Sequence, residues 1–484
     1  MEPGNAIQRL RETGAHIVDD PTELESRRSD RTGTGLPGAL AIAEPNSTEQ
    51  IQSIVRLCRK LRLPLVAQGG LTGYAGGASS VGNCLLLSLR RMSRILSLDP
   101  YLPAVTVQAG CITANLQQYA LEHGYYFPVD FASAGSSQIG GNVATNAGGI
   151  RLIRYGGMRS HVLGLKAVMG NGEILQTNGE VLKDNTGYNL KELLVGSEGT
   201  LGIITEVTLA LTSPPPETIV LLCGVASVES ILDLLALGRK TGLDLHAFEF
   251  FDRACMDSVI QYNDLDSVLE GFPWYCLLEF SSGEKATEFM ESEELLGICS
   301  DALPADSESG KKKFWSYREN ISESLSHGPV HKNDISIPLA KIPSYMRDLE
   351  SLIARDFPDF RKYLFGHIAD GNIHINLKPA IAANEPSSHQ QQLDEDSTDS
   401  DKSDFFAQCR QFDVKNTDLI RKHHGSISAE HGIGLLKKQA LRTVKSESEI
   451  RWMQQLKRIF DPDGILNPGK IFDPDEPLPG KEFP

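Results

Sequence analysis

The segment "GHIADGNIHINL", residues 366–377, sets His367 and His374 seven positions apart, with only Ile, Ala, Asp, Gly, Asn and Ile between them. A second segment, "SISAEHGIGLLKK", places Glu430 beside His431 among small residues. Imidazole nitrogens and carboxylate oxygens are the donors of catalytic zinc sites, which take three protein ligands and keep one position open. Mn, Co and Fe accept the same set. His367 and His374 supply two ligands, and the Glu430–His431 pair offers the third. Asn376 follows His374 by two residues, so on a strand both share a face and Asn376 reaches the same ligand.

A second chemistry is written in glycines. "QGGLTGYAGG" (68–77), "SAGSSQIGGNVATNAGG" (133–149) and "VGSEGTLGIIT" (195–205) all fall in the first 205 residues. Glycine lets backbone N–H groups approach an anion, and successive amides form anion-binding nests. One such stretch is as readily a plain turn. Three in one region point to a large diphosphate ligand.

The elements that must position these residues can be read around them. In "PNSTEQIQSIVRLCRKLRLPLVAQGG", Ser47 and Gln50 form a capping box. Ile51, Ile54, Val55, Cys58 and Leu61 then share a helical face, Pro64 stops the helix, and "PLVA" is a short buried strand. "NCLLLSLRRMSRIL" after the first glycine loop reads mainly as strand. The loop therefore runs strand to strand, which argues against a Rossmann fingerprint, where it would open a helix. "AVTVQAG" is a strand, "TANLQQYALEHG" a helix, and Asn171-Gly172 marks a type I′ hairpin. "GTLGIITEVTLAL" is a strand ending near Pro214-Pro215-Pro216, the clearest boundary. A second α+β region follows, with strands at "IVLLCGVA", "LHAFEFFD" and "WYCLLEFSS". Residues 384–404 are polar and acidic and read as a disordered insertion. The expected organisation is 1–215, 216–440 and a C-terminal segment, 441–484, with the helix "SEIRWMQQLKRIFDP".

Composition bounds the function. Lys plus Arg number 47 against 63 Asp plus Glu, a balance of −16 over 484 residues, which opposes nucleic-acid and polybasic membrane roles. The eight cysteines include no CxxC, fitting free thiols in a reducing cytoplasm. The N-terminal residues lack an apolar core and carry acids, so no signal or transit peptide is expected. No run is long enough for a transmembrane helix.

The ordered motifs "PLVAQGGLTGYAGG", "IGGNVATNAGG", "RYGGMRSHVLGLKAVMGNGEIL" and "LLVGSEGTLGIITEVTL" resemble the FAD-binding domain of the vanillyl-alcohol-oxidase type. The resemblance runs over nearly the whole chain. It is closest to the flavin-linked D-2-hydroxy acid dehydrogenases, and among them to the D-2-hydroxyglutarate dehydrogenases. It implies an α+β fold with an FAD-binding domain, an α+β substrate (cap) domain and a C-terminal helical segment returning to the flavin. FAD contacts would come from Gly69, Gly70, Thr72, Gly73, Ser136, Gly140, Gly141, Asn142, Thr145, Gly148, Gly149, Gly202, Ile203 and Ile204. The first loop has no histidine, which implies non-covalent FAD. "GHxxDGNxHxN" and "EHGIG" resemble the family's metal and base motifs, implying His367, His374 and Glu430 as ligands of Zn²⁺ (or Mn²⁺, Co²⁺, Fe²⁺) and His431 as general base.

"FWSYRENISESLSHGPVHKNDISIP" offers Arg318 and Ser322, four apart on a helix, and Lys332. An arginine fork with a lysine charge would grip a second carboxylate, although a solvated helix face has the same pattern. The resemblance implies that these three hold the distal carboxylate of a D-2-hydroxy dicarboxylate. Asn467 and Lys470 in "DGILNPGKIF" are either flavin and substrate contacts or parts of an Asn-Pro-Gly turn. The family implies electron-transfer flavoprotein or a quinone-linked carrier as acceptor, and a homodimer is compatible with the sequence. Rival readings are D-lactate or glycolate oxidation on this scaffold, a non-redox alkyl-dihydroxyacetonephosphate synthase, and a flavin-free zinc hydrolase, which would leave the glycines unexplained.

Overall fold

The computed structural model describes residues 3–380 and 399–473. The chain forms two compact units, one from residues 1–149, 156–214 and 430 onward, the other from 150–155 and 215–429. It re-enters the first unit at Glu430 rather than at 441, so the "EHGIG" motif belongs to that unit.

The first unit holds two sheets. Strands β1 (His16–Val18), β2 (Ala41–Glu44), β3 (Leu65–Gln68) and β4 (Leu85–Ser88) are ordered β1-β2-β4-β3, with β2, β4 and β3 parallel. Strands β5 (Ile95–Asp99), β6 (Ala104–Gln108), β7 (Val162–Met169), β8 (Ile174–Gln176) and β9 (Gly202–Ala210) form an antiparallel sheet, ordered β5-β6-β9-β7-β8. "NCLLLSLRRMSRIL" is therefore two strands, β4 and β5, in different sheets; Met92 N–H bonded to Leu89 O closes the turn between them.

The helix Thr48–Leu61 buries Ile51, Ile54, Val55 and Cys58 as its periodicity requires. Ser47 Oγ caps Gln50 N–H, but Gln50 Oε1 accepts from Asn46 N–H instead of Ser47, so the capping box is half formed. The helix ends at Arg62 in the left-handed region (φ 51°), ahead of Pro64. The β7–β8 hairpin also departs from expectation. Only Gly172 of the Asn171-Gly172 pair has positive φ (82°), and Gly172 N–H bonds Met169 O. That is a three-residue loop closed by a left-handed glycine, not a type I′ turn.

The second unit is built on a seven-stranded antiparallel sheet. Its strands are β10 (Thr218–Val225), β11 (Leu245–Asp252), β12 (Trp274–Ser281), β13 (Asp301–Ala305), β14 (His331–Ser336), β15 (Phe360–His367) and β16 (Asn372–Pro379), ordered β13-β10-β12-β11-β15-β16-β14. On one face Val220, Leu222, Ala247, Phe251, Tyr275, Leu277, Tyr363 and Phe365 pack with Tyr317, Trp315, Met256 and Val259 from the helices Glu308–Glu319 and Arg253–Asn263. Directly paired residues share a face, so the pairings Glu249↔His367, Phe365↔His374, Asp334↔His374 and Lys332↔Asn376 continue this face as a polar patch. Of the stretch 384–404, residues 399–404 open a helix, Asp399–Lys422, which corrects the reading of disorder there. The remainder lies outside the described residues.

Candidate active site

In the first unit the glycine stretches surround an open cleft. Its walls include Gly69, Gly70, Thr72 and Gly73 from the β3–β4 loop, Gly140, Gly141, Asn142 and Thr145 from the short helix Ile139–Thr145, and Gly202, Ile203 and Ile204 from β9. His431 and Asn467 line the same cleft. Ser136, Gly148 and Gly149 are not among its walls.

Several of these residues serve the loops themselves. A Cβ on Gly70 would stand 2.0 Å from Ser136 O, and one on Gly140 2.5 Å from the Ala109 Cβ. The Asn142 amide donates to Thr113 Oγ1 at 2.7 Å, inside the protein. Asn467 is fully used by backbone: its Oδ1 accepts from Ala67 N–H (3.0 Å), and its Nδ2 donates to Glu198 O (2.7 Å) and Gly77 O (3.2 Å). The turn reading of Asn467 thus has its bonds. Lys470 Nζ donates to Ser79 O at 2.8 Å and is buried. Burial lowers its pKa to about 7, against the pull of Cys84, Asp30 and Glu198.

The cleft fits a large polar cofactor on its own evidence. Gln68 is fixed by donating its amide to Arg27 O and Ala78 O, and its buried Oε1 has no partner among the described residues. Gln138 Oε1 and Asp30 Oδ2, also on the cleft wall, are likewise buried without partners. Buried acceptors of this kind call for donors. Around Gly141 nothing lies within 4 Å of an added Cβ, so the backbone there is open to a ligand.

His431 is positioned by a buried acid that the sequence reading did not single out. Glu198, itself left-handed (φ 51°), accepts the N–H groups of Ile433 and Gly434, each at 2.7 Å. Burial pushes its carboxyl up, and those two N–H groups pull against it. A Cβ on Gly432 would lie 2.8 Å from Glu198 Oε1, so the motif needs glycine there. The His431 ring lies 5.1 Å from that of Tyr74, centroid to centroid.

Ligand atoms of His367, His374 and Glu430 all lie within 4.8 Å of one another, the one such group of metal-ligating residues found among the described residues. Glu430 is the first residue after the boundary, tied by its peptide bond to Ala429, whose N–H bonds Asp334 Oδ2 at 3.1 Å. Two further carboxylates stand behind the histidines. Glu249 Oε1 accepts from His367 Nδ1 at 2.7 Å, and a carboxylate behind Nδ1 is the arrangement that orients a neutral imidazole to ligate through Nε2. Asp334 Oδ1 is 3.7 Å from His374 Nδ1 and accepts from Asn372 Nδ2 at 2.8 Å. Neither acid was read from sequence. The signal was an acid inside an otherwise apolar strand, as in "LHAFEFFD". Burial opposes ionisation of Glu249, but His367 and Arg318 together hold its carboxyl below the usual range.

Arg318 is buried, with its guanidinium 4.8 Å from the Phe365 ring centre and Nε 2.8 Å from Glu249 Oε2. Glu249 is its only polar partner among the described residues. Asn376 is 2 % exposed, its Nδ2 without a hydrogen-bond partner among the described residues, beside Lys332 across the β14–β16 ladder. Ser322 departs from expectation. The helix breaks at Asn320, and Ser322 lies exposed on the short turn Ile321–Ser324, so it does not share Arg318's buried face.

Comparison with known proteins agrees with this architecture. The FAD-linked oxidase C-terminal domain matches residues 214–471, and an FAD binding domain matches residues 39–178. The chain belongs to the FAD-linked oxidases, and its cofactor is FAD. Within the family it is 38% identical to the D-2-hydroxyglutarate dehydrogenase of Stutzerimonas stutzeri (strain A1501), over 94% of this chain and 96% of the relative. It is 35% identical to the mitochondrial D-2-hydroxyglutarate dehydrogenase of Bos taurus, over 94% and 81%. Solved structures share the fold at low identity. They include p-cresol methylhydroxylase (TM-score 0.71, 14% identity, 98% of both chains) and alkyldihydroxyacetonephosphate synthase (0.70, 18%, 93% and 82%). The expected vanillyl-alcohol-oxidase-type fold is thereby borne out. No helix among the described residues is long and apolar enough to cross a membrane.

Proposed function

We propose that the protein oxidises a D-2-hydroxy dicarboxylate, D-2-hydroxyglutarate first, to the 2-oxo acid. The observation that carries this reading is the adjacency of Glu430 and His431. One belongs to the metal-ligating trio, and the other lines the glycine-walled cleft. FAD, held non-covalently, supplies the hydride acceptor when bound. A divalent metal on His367, His374 and Glu430, zinc or one of Mn, Co and Fe, would polarise the substrate hydroxyl. His431 takes the hydroxyl proton, held in place by the Glu198 clamp on Ile433 and Gly434. Arg318 and Lys332 hold the distal carboxylate, and Asn376 donates its unpartnered amide to the proximal end. A dicarboxylate gives the Arg318 guanidinium, whose Nε already faces Glu249 Oε2, a further carboxylate that D-lactate does not carry, and this favours the longer substrate.

Electrons leave to an electron-transfer flavoprotein or a quinone-linked carrier. The eight cysteines are all free thiols and buried, which supports a reducing compartment such as the cytoplasm. The test is steady-state kinetics with an artificial acceptor on D-2-hydroxyglutarate, D-malate and D-lactate. A kcat/KM highest for D-2-hydroxyglutarate is expected; a preference for D-lactate would reassign the protein to monocarboxylates.

A further inference from the structure

Glu249 sits at the centre of β11 with no exposed surface, and each of its carboxylate oxygens has a different task. Oε1 receives His367 Nδ1 at 2.7 Å; Oε2 lies 2.8 Å from Arg318 Nε. The first contact comes from the adjacent strand, through the pairing Glu249↔His367, and the second from the end of the helix Glu308–Glu319 that covers the sheet. A single buried carboxylate thus joins a ligand of the metal trio to the arginine of the carboxylate clamp. Asp334 differs in this respect. It backs the other histidine, His374, at 3.7 Å, and also accepts from Asn372 and Ala429.

We infer that Glu249 is a positioning residue that couples metal affinity at His367 to recognition of the distal carboxylate by Arg318. The inference rests on the substrate and metal reading above. Its physical basis is that one buried charge is shared between two cationic or donor partners. An anion that engages the guanidinium draws it away from Oε2 and leaves more of the negative charge on the hydrogen bond to His367. That makes the imidazole a better donor to metal. Coupling through a shared group is reciprocal, so metal on His367 in turn favours the dicarboxylate.

Glu249→Gln separates the two tasks. A neutral amide can still accept from His367 Nδ1, but its NH₂ opposes the Arg318 N–H. Zinc affinity is measured on the FAD-loaded protein by competition with a chromophoric chelator, alongside KM and kcat for D-2-hydroxyglutarate and D-lactate. Wild type is compared with Glu249→Gln, Arg318→Lys and Asp334→Asn. Loss of a group behind a metal ligand typically weakens binding by about 10–100-fold, so both acid variants should lose zinc affinity on that scale. Only Glu249→Gln should also raise KM for the dicarboxylate more than for D-lactate. Arg318→Lys, which does not touch the trio, should tighten zinc binding because it loosens the hold on Glu249 Oε2, and it keeps the test available if Glu249→Gln does not fold. Unchanged zinc affinity in Arg318→Lys, or an equal KM ratio in Glu249→Gln and Asp334→Asn, would overturn the coupling. Absence of zinc binding in wild type would instead overturn the metal reading beneath it.

Discussion

At position 431 an imidazole lines the cleft, and the loop that carries it is held by Glu198 through the N–H groups of Ile433 and Gly434. Replacing it with asparagine keeps much of the shape and removes the base. His431→Asn should lower kcat about 10²–10⁴-fold while the flavin absorbance of the purified protein stays at wild-type intensity; a variant that retains near-wild-type kcat would remove His431 from the proton step. This scale was also where the sequence was most legible. His374 and Asn376 lie on β16, and His367 ends β15 just before the short turn that leads into it, so local spacing alone relates them. Glu249, Asp334 and Glu198 were missed because their meaning comes from pairing at a distance. Glu249 meets His367 across 118 residues, and Glu198 meets Ile433 across 235. A strand acid reads as a surface acid until its neighbour is known.

At the scale of elements, the glycine stretches turn out to do two jobs. Gly141 leaves room for a ligand, whereas Gly70 lets the β3–β4 loop pass 2.0 Å, as measured from an added Cβ, from Ser136 O. Gly70→Ala must displace one of two backbone segments of the cleft. The protein should then purify with substoichiometric FAD, as the ratio of flavin to protein absorbance will show, and full FAD content would contradict the packing role. Glu198→Ala leaves two N–H groups of the "EHGIG" loop without their acceptor. Each buried donor so orphaned costs about 1–3 kcal/mol, so urea unfolding should show a clear drop in stability together with a lower kcat. Strands and helices were readable from their periodicity. Turn geometry was less so, since the Asn171-Gly172 hairpin and the Ser47 cap each chose a neighbouring solution that depends on where the flanking chain goes. Arg318 and Ser322 show the same limit, as one break at Asn320 separates residues that helical spacing would unite.

At the scale of the whole molecule, one buried histidine makes stability depend on pH. His246 is fully buried, with Nε2 2.9 Å from Ser281 Oγ, and burial, then Arg154 and Arg151, lower its pKa from 6.5 to about 4. The unfolded chain therefore binds a proton that the folded chain refuses between pH 4 and 6.5. By linkage, stability from this group rises as pH increases through that window, by at most about 1.4 kcal/mol per pH unit. His246→Gln should flatten the slope of unfolding free energy between these limits, measured by denaturant titration at several pH values; an unchanged slope would place the proton elsewhere. The family was legible from the order of the motifs. Residues 399–404 misled because low apolar content signals disorder only when no neighbouring helix, here Asp399–Lys422, extends into the segment.

The proposed reaction needs both FAD and a divalent metal. Anaerobic mixing with D-2-hydroxyglutarate, followed by the flavin absorbance before and after chelator treatment, tests both halves at once. Rapid bleaching that chelation abolishes and added zinc or another divalent metal restores is expected, with D-lactate slower throughout. Equally fast bleaching in the chelated, metal-free protein would contradict it.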